Sequence, residues 1–264
     1  MKSRLLILAT RISESHPVLW NAAWKLAHFE PLLPHDRGYL ALRAFIRQMP
    51  EGLILDIGAN DGISALGFRK LAPAAPILSI EPNPVHTQAL ARIAATDPKF
   101  QYRIAACGAS QGRLDLCMPL YRGIPLHTFC SSSQQGAREQ VKAAFGDRVA
   151  KQIRITEFSA ELLAVDSLGV SPAIMKIDAE GASVQVLQGA LETIRKSRPL
   201  IVTEIGEDMD AVKGLLEPLG YVFAMYDVPS DTFDFDMHDA THRVGRRNFF
   251  AVHRERAQWL RRPH

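Results

Sequence analysis

The sequence is poor in the features that mark several large classes of protein. Three cysteines in 264 residues, Cys107, Cys117 and Cys130, are odd in number and form no CxxC pair. That excludes a disulfide framework and a cysteine-based zinc knuckle, and reduced thiols in a cytoplasmic protein are the plain reading. No apolar run approaches the roughly 18 residues of a membrane span. The opening MKSRLLILATRI has a basic start, but its apolar stretch is cut short by Thr10 and Arg11, too early for a signal sequence. A net charge of +3 is too small to point to nucleic acid. Two nucleotide-binding signatures are absent as well: there is neither a GxxxxGK[ST] nor a complete GxGxxG.

What is present is the stretch LILDIGANDG, Leu53 to Gly62. Its apolar run with one acid reads as a buried parallel strand, and Ile63 to Leu71 resumes at helical spacing. A strand, a glycine turn and a helix N-terminus form a nucleotide-binding corner in open α/β sheets. A dinucleotide fingerprint would need glycine at three turn positions, here filled by Gly58, Asn60 and Ile63, so it fails at two. The next strand, ILSIEP, ends in Glu81. A carboxylate there can accept both hydroxyls of a ribose. A nucleoside without phosphates fits better than a dinucleotide.

DIGANDG, then SIEPNP, then MKIDAEG with VLQGA, then RPLIVTEI resemble, in order and spacing, the FkbM family of methyltransferases, over roughly residues 35–253. The resemblance implies a Rossmann-like class I fold and S-adenosyl-L-methionine as cofactor. It implies methylation of a hydroxyl on a sugar, a glycan or a polyketide-like metabolite. The expected cofactor contacts are Asp56, Gly58, Ala59, Asn60, Asp61, Gly62, Glu81, Pro82 and Asp178, with Ala105 and Ala106 flanking the adenine. A non-catalytic nucleoside-binding module on the same fold is the competing reading.

Residues 1–50 read as an N-terminal helical cap, in which Trp20 and Trp24 share a face that packs on the core or lines a contact. Residues 51–253 alternate strands and helices, predicting a doubly wound, mostly parallel sheet finished by an antiparallel pair at the edge, Tyr221 to Tyr226 with Asn248 to Val252. Phe100 to Cys107 is expected as one strand. One helix after Asp178 should bury Val184, Leu187 and Leu191. An insertion over 108–165 interrupts the pattern, with paired strands near 113–118 and 152–158 and a long irregular segment, 121–150, of the kind that forms substrate lids. Residues 254–264 form a basic tail, which permits contact with an anionic membrane surface.

Asp56, Glu81, Asp178 and Glu204 stand at four strand ends, so they share one rim of the sheet. Methyl transfer needs alignment and a base for the incoming hydroxyl. Asp178, Glu180 and Glu204 are the candidate bases. Lys176, two residues before Asp178 on the same strand face, is either an orienting partner or a stabiliser of developing negative charge. Asp227, Asp231, Asp234, Asp236 and Asp239, with His238 and His242, read as a solvated acidic loop rather than a metal site.

Overall fold

The computed structural model describes residue 34 and residues 36–179, 181–204, 208–235 and 248–260; of Glu204 it describes the backbone. Among them, no helix is long and apolar enough to cross a membrane. The chain divides into two compact units, the smaller containing 113–160 and the larger 34–112 with 161–260.

In the larger unit, a 3-10 turn, Arg37–Ala41, leads into helix α1, Leu42–Gln48. Strand β1, Ile54–Ile57, then meets helix α2, Ile63–Leu71, and strand β2, Ile77–Glu81. Helix α3, Thr87–Thr96, connects to β3, Phe100–Ile104. A two-residue strand, β4, Ala106–Cys107, follows, and it belongs to a different sheet. The expected single strand over 100–107 is therefore two, parted at Ala105, whose N–H bonds the carbonyl of Glu81 at 3.0 Å.

The smaller unit carries β5, Gly112–Tyr121, β6, Ile124–Pro125, helix α4, Gln134–Phe145, a short helix α5, Asp147–Ala150, and the first part of β7, Ile153–Leu163. Neighbouring strands β5 and β7 bear out the paired insertion. The segment between them is not irregular. Ser133 caps α4 through its hydroxyl, which accepts from the Gly136 N–H at 3.0 Å, and Val141 and Ala137 are fully buried. Tyr121, Leu126, Val141 and Ile153 give this unit its own small core.

Back in the larger unit come β8, Ile174–Ile177, helices α6, Ser183–Gln188, and α7, Leu191–Ser197, strand β9, Leu200–Glu204, helix α8, Met209–Leu216, and strands β10, Tyr221–Asp227, β11, Thr232–Asp234, and β12, Asn248–His253. The eight-stranded sheet runs β11-β10-β12-β9-β8-β1-β2-β3. Strands β9, β8, β1, β2 and β3 are parallel, and β12 is antiparallel to both its neighbours. The antiparallel pair lies at the expected end of the sheet, with β12 between β9 and β10 and the short β11 outermost.

Side chains alternate between two covered faces, as they must in a sheet buried on both sides. Ile54, Ile174 and Val202 pack with Phe45 and Phe68 on one face. Leu55, Met175 and Ile201 pack with Leu187, Ile194 and Leu216 on the other. The expected helix after Asp178 breaks into α6 and α7 at Gly189, where a Cβ would overlap the backbone of Gly108. Asp166 then caps α7, its carboxylate accepting from Glu192 and Thr193 N–H groups at 3.1 and 2.7 Å. The break rotates the buried set to Val186, Leu187 and Ile194, leaving Val184 and Leu191 half-buried.

Candidate active site

The turn after β1 is held from within. Gly58 and Ala59 N–H groups donate to the Ile80 carbonyl at 2.9 and 3.2 Å, and Gly62 N–H to the Ala59 carbonyl at 2.9 Å. Asn60 N–H donates to Glu81 Oε2 at 2.8 Å, and Asp61 N–H to Asn60 Oδ1 at 2.9 Å. Five successive N–H groups are thus committed internally, whereas a phosphate cradle must turn such groups toward its ligand. Gly58 has φ 75° and no room for a Cβ, which would overlap the Asp178 carbonyl oxygen. Asn60 also sits in the left-handed region, φ 53°, which asparagine tolerates better than most residues.

Beneath this turn lies a buried charge cluster. Asp56 is fully buried, and its Oδ2 accepts from the hydroxyls of Ser64 and Ser79 at 2.7 and 3.0 Å. Lys176 stands beside it in the parallel register. Its Nζ donates to the Gly58 carbonyl at 2.7 Å and lies 3.3 Å from Asp56 Oδ1 and 3.4 Å from Asp178 Oδ2. Burial alone would lower the Lys176 ammonium, but Asp56 first, then Asp178 and Tyr39, outweigh it and hold it above its ordinary range. An ammonium so held takes up no proton, so Lys176 is not a base.

Two expectations change here. Asp56, expected as a cofactor contact, has no surface left for a ligand; it fixes the turn and the lysine. Lys176 spends its donors on the chain itself, in keeping with the first of its two expected roles, an orienting partner. Ala105 likewise is fully buried in the core and offers an adenine no surface, while Ala106 beside it is 4% exposed.

Glu81 is different. Its Oε2 accepts from Asn60 and its Oε1 from Asn83 N–H, each at 2.8 Å. One acceptor position per oxygen remains, which is the demand of a vicinal diol. Burial pushes the Glu81 carboxyl up to about 7, against the opposing pull of the Asn83 and Asn60 N–H groups. Asp178, at the end of β8, has a side chain 31% exposed, so it belongs to the open part of the rim. Glu204 closes β9 and its backbone pairs with Asn248. Glu180 lies outside the described residues, as do Trp20, Trp24, Asp236, His238, Asp239 and His242. Of the acidic loop, Asp227 accepts from both the N–H and hydroxyl of Ser230, and Asp231 from the Tyr226 hydroxyl, so these two hold the β10–β11 hairpin.

A family model for the FkbM methyltransferase domain matches residues 56–239. The chain belongs to the FkbM methyltransferase family. A methyltransferase of Sordaria araneosa, sdnD, is 25% identical over 67% of the chain and 76% of its own length. Among solved structures, the FkbM methyltransferase of Methylobacillus flagellatus is 14% identical at a TM-score of 0.46, covering 89% of this chain. The chain spans about 60% of that protein's length. A precorrin-6y C5,15-methyltransferase of Geobacter metallireducens matches at 13% identity and a TM-score of 0.44, covering 84% of this chain and 90% of that one.

In this FkbM chain the quoted motifs mark the rim but not its supports, Ser64, Ser79 and Asn83. All three lie within or beside those motifs: Ser64 on the first turn of α2, Ser79 inside β2 and Asn83 just after it.

Proposed function

We propose that the protein transfers a methyl group from S-adenosyl-L-methionine to a hydroxyl oxygen of a small-molecule or glycan acceptor. The observation that carries the cofactor is Glu81, a strand-end carboxylate with one open acceptor position on each oxygen, beside a turn whose N–H groups are already spent. A ribose diol without phosphates matches that pair of demands. Asn60 and Asp61 edge the turn, Gly58, Ala59 and Gly62 give it its path, and Pro82 is half-buried next to Glu81. Asp178 would face the aminoacyl end, where its carboxylate suits a cationic amine.

Bound there, the cofactor supplies a methyl group on a sulfonium, already electrophilic. The protein's share is alignment and removal of the acceptor's proton. Asp178 is the exposed acid whose oxygens the structure describes on this rim; Glu180 and Glu204 complete the candidate set. Lys176, locked in the ammonium form, keeps Asp178 oriented. The acceptor class, a sugar, glycan or polyketide-like hydroxyl, follows the family resemblance, and the free thiols suit a reducing cytoplasm.

Calorimetric titration of S-adenosylhomocysteine and NAD into the protein and its Glu81→Ala variant tests the reading. Micromolar binding of the sulfur nucleoside, lost in the variant, with none for NAD, is the expected result. No binding to the unaltered protein would overturn it in favour of a non-catalytic module.

A further inference from the structure

The basic stretch from Arg254 onward has no part in the function proposed above. Its described part is not a loose tail. Arg254–Trp259 forms a 3-10 turn, and Ala257, with Leu260 just after it, is buried in the main core. Trp259 packs edge-on against Phe45 of α1 with centroids 5.0 Å apart. The Arg256 guanidinium lies over both rings, 6.0 Å from Phe45 and 5.5 Å from Trp259. Arg254 donates to the Gly220 carbonyl from its N–H at 2.9 Å and from Nε at 3.3 Å.

A second basic stretch meets it there. The last turn of α7 carries Arg195 and Lys196, and Arg198 follows in the left-handed region, φ 48°. Arg256 donates to the Arg198 carbonyl at 2.6 Å, and Arg198 pairs with Glu255, so two segments distant in sequence form one patch. Residues 192–198 and 254–260 hold five Lys and Arg against two Glu, an excess equal to the net charge of +3 of the whole chain. Both glutamates are engaged within the patch, Glu192 with Arg195 and Glu255 with Arg198. Lys196 and Arg254 are exposed and pair with no acid among the described residues. Strands β9 and β10 begin at this end of the sheet and β12 finishes there, Tyr221 pairing with His253. The patch therefore lies opposite the rim of Glu81 and Asp178, about 15 Å away at the rise of a five-residue strand.

We propose that this patch docks the protein peripherally on a bilayer surface containing anionic phospholipid. Each cation near such a surface adds to the attraction, and an indole beside them suits the headgroup level. The core holds these side chains in place beforehand, so docking requires little further ordering. A nucleic acid fits less well, because its affinity grows with the number of phosphates neutralised and the excess here is small. The docking itself does not rest on the methyl-transfer reading. Where that reading holds, the rim faces away from the lipid, so the acceptor is not the headgroup on which the protein docks.

The test is co-flotation of the full chain with phosphatidylcholine vesicles, with and without phosphatidylserine. The expected result is binding to the anionic vesicles alone, lost at high salt. Lys196→Glu with Arg254→Gln removes three units of charge, for about a hundredfold weaker partitioning at about fivefold each. Lys151→Glu with Arg148→Gln, an equal change on two exposed side chains of the smaller unit, should cost less than about fivefold. Thermal unfolding checks that each pair is folded. Should Arg254→Gln disturb its contact with Gly220, Lys196→Glu alone removes two units, for about a 25-fold loss. Equal losses in the two pairs, or no flotation of the unaltered protein at low salt, would overturn the proposal. So would tighter binding to a DNA duplex, lost in the same Lys196 and Arg254 pair, which would make the patch a nucleic-acid contact.

Discussion

Two strand-to-helix turns stand side by side on the same rim and are built in opposite ways. The turn after β1 is saturated: every N–H from Gly58 to Gly62 has a partner, and a buried aspartate and lysine brace it from below. The turn after β8 is open. Asp178 is partly exposed, Gly181 has φ 88° with nothing among the described residues within 4 Å of where a Cβ would go, and α6 begins without a side-chain cap. On the function proposed above, the saturated turn is the one that would hold the cofactor, and the sparsely bonded one would face the acceptor. Preorganisation costs least when the binding half alone is fixed.

Four experiments would break or sharpen that contrast. Gly58→Ala should be the most damaging, because it pairs a positive φ with backbone overlap at Asp178. A loss of about 4 kcal/mol or more, read by denaturant unfolding, would leave little of a typical domain's stability. Lys176→Met comes next. It strands the fully buried Asp56 carboxylate without its counter-charge, for an expected loss of about 3 kcal/mol, measured in the same way.

Glu81 gives a smaller, pH-dependent effect. Its folded pKa of about 7 lies above the ordinary value of 4.5, so between those values the folded protein holds a proton that the unfolded chain has released. Its contribution to stability therefore falls as pH rises through that window. Nucleoside affinity should move the other way, since only the ionised carboxylate accepts two hydroxyls. Calorimetry between pH 6 and pH 8 should show about a tenfold gain, absent in Glu81→Gln. Gly181→Ala should cost least, about 1 kcal/mol for the left-handed backbone alone. A loss as large as that of Gly58→Ala would erase the distinction between the two turns.

The sequence made the rim legible because apolar runs ending in an acid and a glycine are local signals. Asp56 and Glu81 looked alike in that light, each an acid in an apolar strand. Their difference is one of depth: Ser64 and Ser79 converge on Asp56 from other elements, while Asn60 and Asn83 leave Glu81 half its lone pairs. Helix α4 is also written in local signals. Ser133, the apolar series Ala137, Val141 and Phe145, and Gly146 spell a capped amphipathic helix, but the serines and glycines before it suggested a loop. The break at Gly189 and the placing of Tyr39 depend on Gly108 and Phe68, far away in sequence, and no local pattern encodes them.

The position of β12 also bears on how the sheet is assembled. Strands β9 and β10 are consecutive in the chain, yet they are not hydrogen-bonded neighbours; residues 248–253 pair with both. The β10–β11 hairpin therefore joins the sheet solely through a strand that follows it in sequence. Completing the sheet therefore depends on pairing between residues distant in sequence, the kind that slows folding in general. Asn248, at the start of β12, both pairs with Glu204 and binds Asp36. The residue that joins β12 to β9 is thus the same one that ties down the turn Arg37–Ala41.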